Sequence, residues 1–185
     1  MSDKTLEFPA VGPLGRLSAA MCLVVAVGGV LAELGLAWVW LSPGLIETYV
    51  LPRLGLAASH VALTAPVRFS GFLICMLPMA VLLFLLHQAY ELFDSFRRGR
   101  VFAAEVPLRL RRIGLCLVAL AVLRPVTGAL LSVMLTAANA SGQRMLVLSI
   151  SVDDYMIAAL GGLVLAIGHV MIEANRLADE SRQIV

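Results

Sequence analysis

Residues 17–41 read LSAAMCLVVAVGGVLAELGLAWVWL, an apolar run in which Glu33 is the one charged residue. A helix needs about 20 mostly apolar residues to cross a hydrocarbon core about 30 Å thick, so this run is long enough to span a bilayer. It is much longer than the apolar stretch of about 7–15 residues in a secretory signal peptide, and no small-residue cleavage site follows it. We therefore interpret residues 17–41 as a retained membrane span.

Three further runs of the same kind lie at about 69–93, 113–137 and 155–174. In lipid each backbone polar group must pair within its own segment, so helix is the expected conformation of all four runs. The sequence predicts an all-α membrane protein: a four-transmembrane-helix bundle that forms one membrane domain over residues 1–185.

The composition supports a membrane protein and excludes other classes. The chain is 61% hydrophobic and 14% charged, whereas soluble domains average about 45–50% apolar and about 25% charged residues. A net charge of +2 is too small to indicate a direct nucleic-acid partner. Three cysteines scattered through apolar runs indicate neither a disulfide framework nor a metal site, and we expect no cofactor.

Basic residues are distributed unequally between the loops. The termini and the basic loop 94–112 hold ten lysines and arginines, against three in the other two loops. By the positive-inside rule, both termini and loop 94–112 are predicted to be cytoplasmic, and Trp38 and Trp40 are predicted to lie at the outer interface. The arginines that carry this bias also favour contact with anionic lipid headgroups.

The two outer loops contain β-prone runs. Residues 60–65 read HVALTA and residues 145–152 read MLVLSISV, so one prediction is a small extracytoplasmic β-ribbon made from the two. The alternative is a pair of interfacial loops that dip into the headgroups. Ser151, followed by Asp153 and Asp154, is typical of a helix N-cap and predicts where the fourth span begins.

Two segments resemble a known family. Residues 93–114 read FDSFRRGRVFAAEVPLRLRRIG, with Gly-x-Val-Phe and then Leu-Arg-x-Ile-Gly opening a span; later come a Ser-x-Asp-Asp helix entry and an acidic tail ending in a hydrophobe. This pattern resembles the bacterial membrane family called domain of unknown function 2975. The resemblance implies four spans in the bacterial inner membrane, no established catalytic activity, and members often encoded beside a small helix-turn-helix regulator.

The basic loop is the densest polar feature and a candidate docking surface. Residues 103–112 predict a short helical lead-in to the third span, with Pro107 tolerated in its first turn. The arginines could bind anionic lipid headgroups or an acidic cytoplasmic protein, and the sequence does not separate these uses. The candidate docking residues are Phe96, Arg97, Arg98, Arg100, Phe102, Arg109, Arg111 and Arg112.

Two ionisable residues lie deep in predicted spans. Glu33 is in the first span and Arg124 is near the middle of the third. Such residues are costly when they face lipid, so they are expected to face one another or a wet cavity. We predict a buried Glu33–Arg124 ion pair, which either acts as a structural clamp or is a pair that a ligand or proton can break. Pro125 can kink the third helix beside it.

His87, His169 and Glu173 form a further candidate polar cluster. The two histidines fall at similar depth, and His169 and Glu173 share one helix face because they are four residues apart. A metal site is geometrically conceivable but is not predicted, because histidines near helix ends usually bond to backbone carbonyls or water.

The sequence contains no arrangement of catalytic residues typical of an enzyme, so we expect no enzymatic activity. The favoured interpretation is a regulatory or sensory membrane protein that docks a cytoplasmic partner, such as a small helix-turn-helix regulator. A small-ligand or ion carrier and an accessory subunit of a larger membrane complex are the alternatives. Glycines in the first and fourth spans allow close helix packing, either within the chain or in a homo-oligomer.

Overall fold

The computed structural model describes residues 13–56, 63–100, 103, 105–137 and 145–183. Four long helices dominate it: α1 (Pro13–Leu41), α2 (Ala65–Arg97), α3 (Glu105–Thr136) and α4 (Val152–Gln183). Each is long and apolar enough to cross a membrane. The predicted all-α class with four membrane-spanning helices is confirmed, and the chain is a multi-pass membrane protein.

The start of α3 matches the predicted helical lead-in. The helix begins at Glu105 and runs without interruption into the third span, with Pro107 in its first turn. Proline is tolerated there because the first amides of a helix have no partner within the helix.

The start of α4 is fixed by a reciprocal cap, as the sequence predicted. The Asp154 amide donates to Ser151 Oγ at 3.2 Å, while Asp154 Oδ2 accepts from the Ser151 amide at 2.9 Å and from its hydroxyl at 2.8 Å. This is a capping box in which aspartate takes the place of the more common glutamate.

The segment between α1 and α2 is a chain of short helical turns where the structure describes it. An α-helical turn at Pro43–Leu45 leads into a π-helical turn at Ile46–Val50 and a 3-10 turn at Pro52–Leu54. Gly55 ends the series with φ +64°, a conformation that strongly favours glycine.

The β-ribbon prediction is wrong for MLVLSISV, which contains no strand. Residues 145–151 have no regular secondary structure, and two of their amides bond to hydroxyls of α3: Met145 N to Thr136 Oγ1 at 3.1 Å and Val147 N to Ser132 Oγ at 2.9 Å. Part of HVALTA, residues 60–62, lies outside the described residues. Leu146, Leu148 and Ile150 are exposed, as the alternative of an interfacial loop requires.

The chain divides into two compact units. Unit I comprises the described residues up to Gly29, Leu83–Val118 and those from Ala158 onward; unit II comprises Val30–Leu82 and Ala119–Ile157. Each unit contains a section of every long helix.

The core of unit II forms around a tryptophan. Trp40 is 3% exposed and packs with Ile46, Leu51 and Leu131, whereas Trp38 is 67% exposed. The ring of Trp40 is therefore covered by protein, while its depth at the outer interface stays a prediction. Its ring lies against Gly71 of α2, where an added Cβ would overlap the indole. One tryptophan thus joins α1 and α2 to the turns that follow α1.

Unit I depends on close backbone contact between α3 and α4. A Cβ added at Gly114 would lie 2.6 Å from the Leu165 amide nitrogen, and one added at Gly161 would lie 2.8 Å from Leu117 Cβ. At Gly168 it would lie 2.8 Å from the Arg111 amide nitrogen. The contacts run in opposite directions along the two helices, so the helices are antiparallel. Small residues allow this approach, which drives helix association in lipid.

Adjacent glycines of α4 provide a matched test of this packing. We expect Gly161→Ala to lower the free energy of unfolding by about 1–3 kcal/mol, because its methyl group overpacks the contact with α3. No atom of the described residues lies within 4 Å of a Cβ added at Gly162. Gly162→Ala should therefore be neutral or stabilising by about 0.5–1 kcal/mol through helix propensity. Unfolding in mild detergent titrated with sodium dodecyl sulfate measures both, and equal stability of the two variants would contradict the contact.

Candidate functional site

Unit II contains a charge pair between α3 and α4. Arg124 Nη1 lies 3.1 Å from Asp154 Oδ1, and the Asp154 side chain is 8% exposed whereas that of Arg124 is 45% exposed. Asp154 Oδ2 is occupied by the Ser151 cap, but Oδ1 accepts no hydrogen bond of good geometry from the described residues. The contact is therefore mainly electrostatic, and Oδ1 retains unused hydrogen-bonding capacity.

The predicted Glu33–Arg124 ion pair is not formed. Arg124 pairs with Asp154 instead, while Glu33 Oε2 is buried without a hydrogen-bond partner among the described residues. Sequence reasoning compared the depths of Glu33 and Arg124 but treated Asp154 only as part of a helix start. The missed signal was that Asp153 and Asp154 open an apolar helix, so that one of them can turn towards a neighbouring helix.

Unit I contains a second set of ion pairs, centred on Arg109. Arg109 Nη1 donates to Glu91 Oε2 at 2.8 Å, and its Nη2 donates to Glu105 Oε2 at 3.1 Å. The Arg109 side chain is 18% exposed. This guanidinium joins α2 to α3 and is neutralised within the chain, so Arg109 is a poor docking residue although the sequence grouped it with the others.

Arg97 and Arg98 share one carboxylate at the end of α2. Arg97 Nη2 lies 2.8 Å from Asp94 Oδ1, and Arg98 Nη2 lies 2.6 Å from Asp94 Oδ2. The Asp94 side chain is 11% exposed, while both arginine side chains are more than half exposed. Asp94 therefore offsets one of the two positive charges, and the guanidinium groups remain accessible.

The remaining candidate docking residues differ in their surroundings. Arg100, Arg111 and Arg112 are exposed and make no ion pair with a described residue. Phe96 is half-buried and contacts Phe93 edge to face, with ring centroids 6.4 Å apart. Phe102 lies outside the described residues. Three arginines thus combine exposure with an uncompensated charge.

His87, His169 and Glu173, the candidate polar cluster, are not gathered into one group in the part of the chain that the structure describes. No three His, Cys, Asp or Glu side chains there lie close enough to hold a metal ion. His87 and His169 are exposed, and Glu173 lies 3.4 Å from Arg176 on its own helix. His87 instead lines a cavity of about 440 Å³ beside the Arg109 ion pairs. Gln88 also lines this cavity, and its Oε1 is buried without a hydrogen-bond partner among the described residues.

The family comparison covers the helices that carry both charge clusters. A family model described as "Protein of unknown function (DUF2975)" matches residues 53–185, well over half of the chain. The chain belongs to the DUF2975 family. The resemblance noted in the basic loop and at the start of the last span therefore named the family correctly. Comparison with curated proteins and with solved structures finds no match.

The limits of the DUF2975 match separate two groups of residues. The matched region includes α2, α3 and α4, and with them the Arg109 and Arg124 ion pairs. It begins at Arg53, so α1 with Glu33 and Trp40 precedes it. The charge clusters consequently belong to the part of the chain that carries the family pattern.

A double-mutant cycle tests the assignment of the Arg124 partner. We expect Arg124→Gln and Asp154→Asn to be coupled by about 0.5–3 kcal/mol in the free energy of unfolding, as residues in direct contact are. Arg124→Gln and Glu33→Gln should be additive within about 0.3–0.5 kcal/mol, because these two residues form no pair. Unfolding by sodium dodecyl sulfate in mild detergent provides the measurement. Coupling to Glu33 and additivity with Asp154 would restore the rejected pair.

Proposed function

We propose that this DUF2975 protein is a non-enzymatic regulatory protein of the bacterial cytoplasmic membrane that docks an acidic cytoplasmic partner through exposed arginines. The observation that carries the proposal is the uncompensated charge of Arg100, Arg111 and Arg112 in unit I. The docking surface is defined here as these three residues together with Arg97, Arg98 and Phe96.

The charge balance of residues 91–112 indicates that only some of the arginines are available for docking. Residues 91–112 hold six arginines and three acidic residues. Arg109 is held by Glu91 and Glu105, while Asp94 serves both Arg97 and Arg98. An acidic partner can therefore bind without disrupting the ion pairs that join α2 to α3. Complementary charge of this kind increases association rate and specificity more than affinity.

The orientation of the surface follows from the basic residues of the whole chain. Because the basic residues concentrate in the termini and loop 94–112, we place this loop and both termini in the cytoplasm. The family resemblance implies a small helix-turn-helix regulator encoded beside many members, and a soluble DNA-binding protein would meet the loop on that side. This regulator is the partner that we propose.

A homo-oligomer or an accessory role in a larger complex is the second candidate, and open glycines favour it. An added Cβ at Gly28, Gly35 or Gly162 meets no atom within 4 Å. These glycines are not used for packing within the described chain, unlike Gly161 and Gly168. They leave room for a helix of another chain to approach.

Cysteine labelling in intact cells tests the orientation. In a background with Cys22, Cys75 and Cys116 replaced by alanine, we expect Arg100→Cys to be protected from a membrane-impermeant maleimide, because loop 94–112 faces the cytoplasm. Glu47→Cys, exposed between α1 and α2, should react. Labelling of Arg100→Cys and protection of Glu47→Cys would show the opposite orientation and remove the cytoplasmic partner.

Neutralising two adjacent arginines tests the docking surface. We expect Arg111→Gln with Arg112→Gln to weaken binding of the neighbouring helix-turn-helix protein by about two- to thirty-fold, since each of the two exposed charge contacts contributes about 0.2–1 kcal/mol. The control variant Arg16→Gln with Arg176→Gln removes the same charge elsewhere and should bind normally. Arg109 is left unchanged because it joins α2 to α3.

Flotation of the same variants with lipid vesicles distinguishes binding of lipid headgroups from binding of the protein partner. If the Arg111/Arg112 variant loses only its preference for vesicles containing phosphatidylglycerol and still retains the regulator, the arginines serve the headgroups and the docking proposal fails.

A further inference from the structure

We propose that a cavity of unit II binds a small zwitterion of the α-amino acid class. The cavity has a volume of about 390 Å³, within the size range of small-molecule sites. Two arginines and two aspartates line it: Arg53, Arg124, Asp153 and Asp154. This proposal goes beyond the docking function and stands without it, because the two sites share no residue.

The charged residues that line the cavity are only partly paired with one another. Arg124 lies beside Asp154, but more than two fifths of its side chain is exposed. Arg53, on the 3-10 turn Pro52–Leu54, is exposed and makes no ion pair with a described residue; Asp153 is likewise exposed and unpaired. One positive and one negative charge therefore remain unmatched at the same cavity.

Asp154 provides the second observation that indicates a ligand. The residue is 6% exposed, and its Oδ1 is a buried acceptor without a hydrogen bond from any described residue. Arg124 Nη1 lies 3.1 Å from this oxygen but makes no hydrogen bond of good geometry to it. Buried charged acceptors are normally fully satisfied by a protein atom, water or ligand, so Oδ1 can accept a further donor. An ammonium group supplies up to three donors to one or both aspartates.

The arginines provide the complementary half of the site. A guanidinium binds a carboxylate through paired, parallel hydrogen bonds, which are among the strongest in proteins. Arg53 is free for this role, and the exposed part of Arg124 can join it. A free anion would leave Asp153 unmatched and a free cation would leave Arg53 unmatched, so a molecule carrying both charges fits best.

The rest of the cavity accommodates an uncharged side chain. Leu54, Pro125 and Val147 contribute apolar surface, while Gly128 leaves space and Ser149 offers a hydroxyl. This combination of a few charged groups with apolar walls is typical of sites for small organic ligands. It favours an amino acid over an inorganic ion, which has no apolar part to bury.

Calorimetric titration of the purified full-length protein in detergent tests the site, using the standard L-amino acids one at a time. We expect at least one to bind, and its N-acetyl and carboxamide derivatives, each lacking one charge, to bind about ten-fold or more weakly. Arg53→Gln and Asp153→Asn should weaken binding similarly. The control variants Arg16→Gln and Glu47→Gln, exposed residues that do not line the cavity, should bind as the parent does.

Three results would overturn the proposal. These are the absence of binding by every standard amino acid, unchanged affinity in both Arg53→Gln and Asp153→Asn, and binding of acetate or methylammonium as tight as that of the zwitterion. The comparison of derivatives uses the unaltered chain, so it remains decisive if a variant fails to fold. Retention of the regulator by a protein that binds no amino acid would leave the docking function intact.

Discussion

Every charge within the apolar helices of this protein has to be neutralised or solvated locally, and this requirement organises the polar contacts of both units. In unit I, Arg109 is held by the carboxylates of Glu91 in α2 and of Glu105 in the first turn of α3. In unit II, Arg124 is placed against the half of Asp154 that the Ser151 cap does not use. Removal of one member of such a pair leaves a charge in a poorly solvated position, which costs more than the pair contributes.

Features that depend on local sequence could be predicted, because each is specified within a few residues. The four spans, the Ser151 cap and the helical entry at Pro107 belong to this group. The partner of Arg124 and the burial of Trp40 could not be predicted, because they depend on which face each helix turns towards its neighbours. The depth of a residue, counted along its helix, does not determine how the helix is rotated about its axis. Depth alone therefore predicted Glu33 as the partner of Arg124, whereas the structure has Asp154.

The wrong prediction of a β-ribbon has a related cause. Alternating apolar residues at 145–152 suggest a strand, but the pattern gives no information about what receives the backbone amides. Ser132 and Thr136 are four residues apart on α3, so both lie on one face and reach the amides of Val147 and Met145. Two hydroxyls of α3 thus take the place of a second strand, and Leu146, between the two bonded residues, is exposed.

Pro125 gives the two sides of the Arg124–Asp154 contact unequal support. Helix α3 continues through Pro125, but proline donates no backbone hydrogen bond, so the carbonyl one turn earlier, at Ala121, lacks its usual helical partner. Asp154, by contrast, is held at the start of α4 by the reciprocal bonds with Ser151. A carboxylate that competes with Asp154 would therefore bind Arg124, while Asp154 keeps its bonds to Ser151.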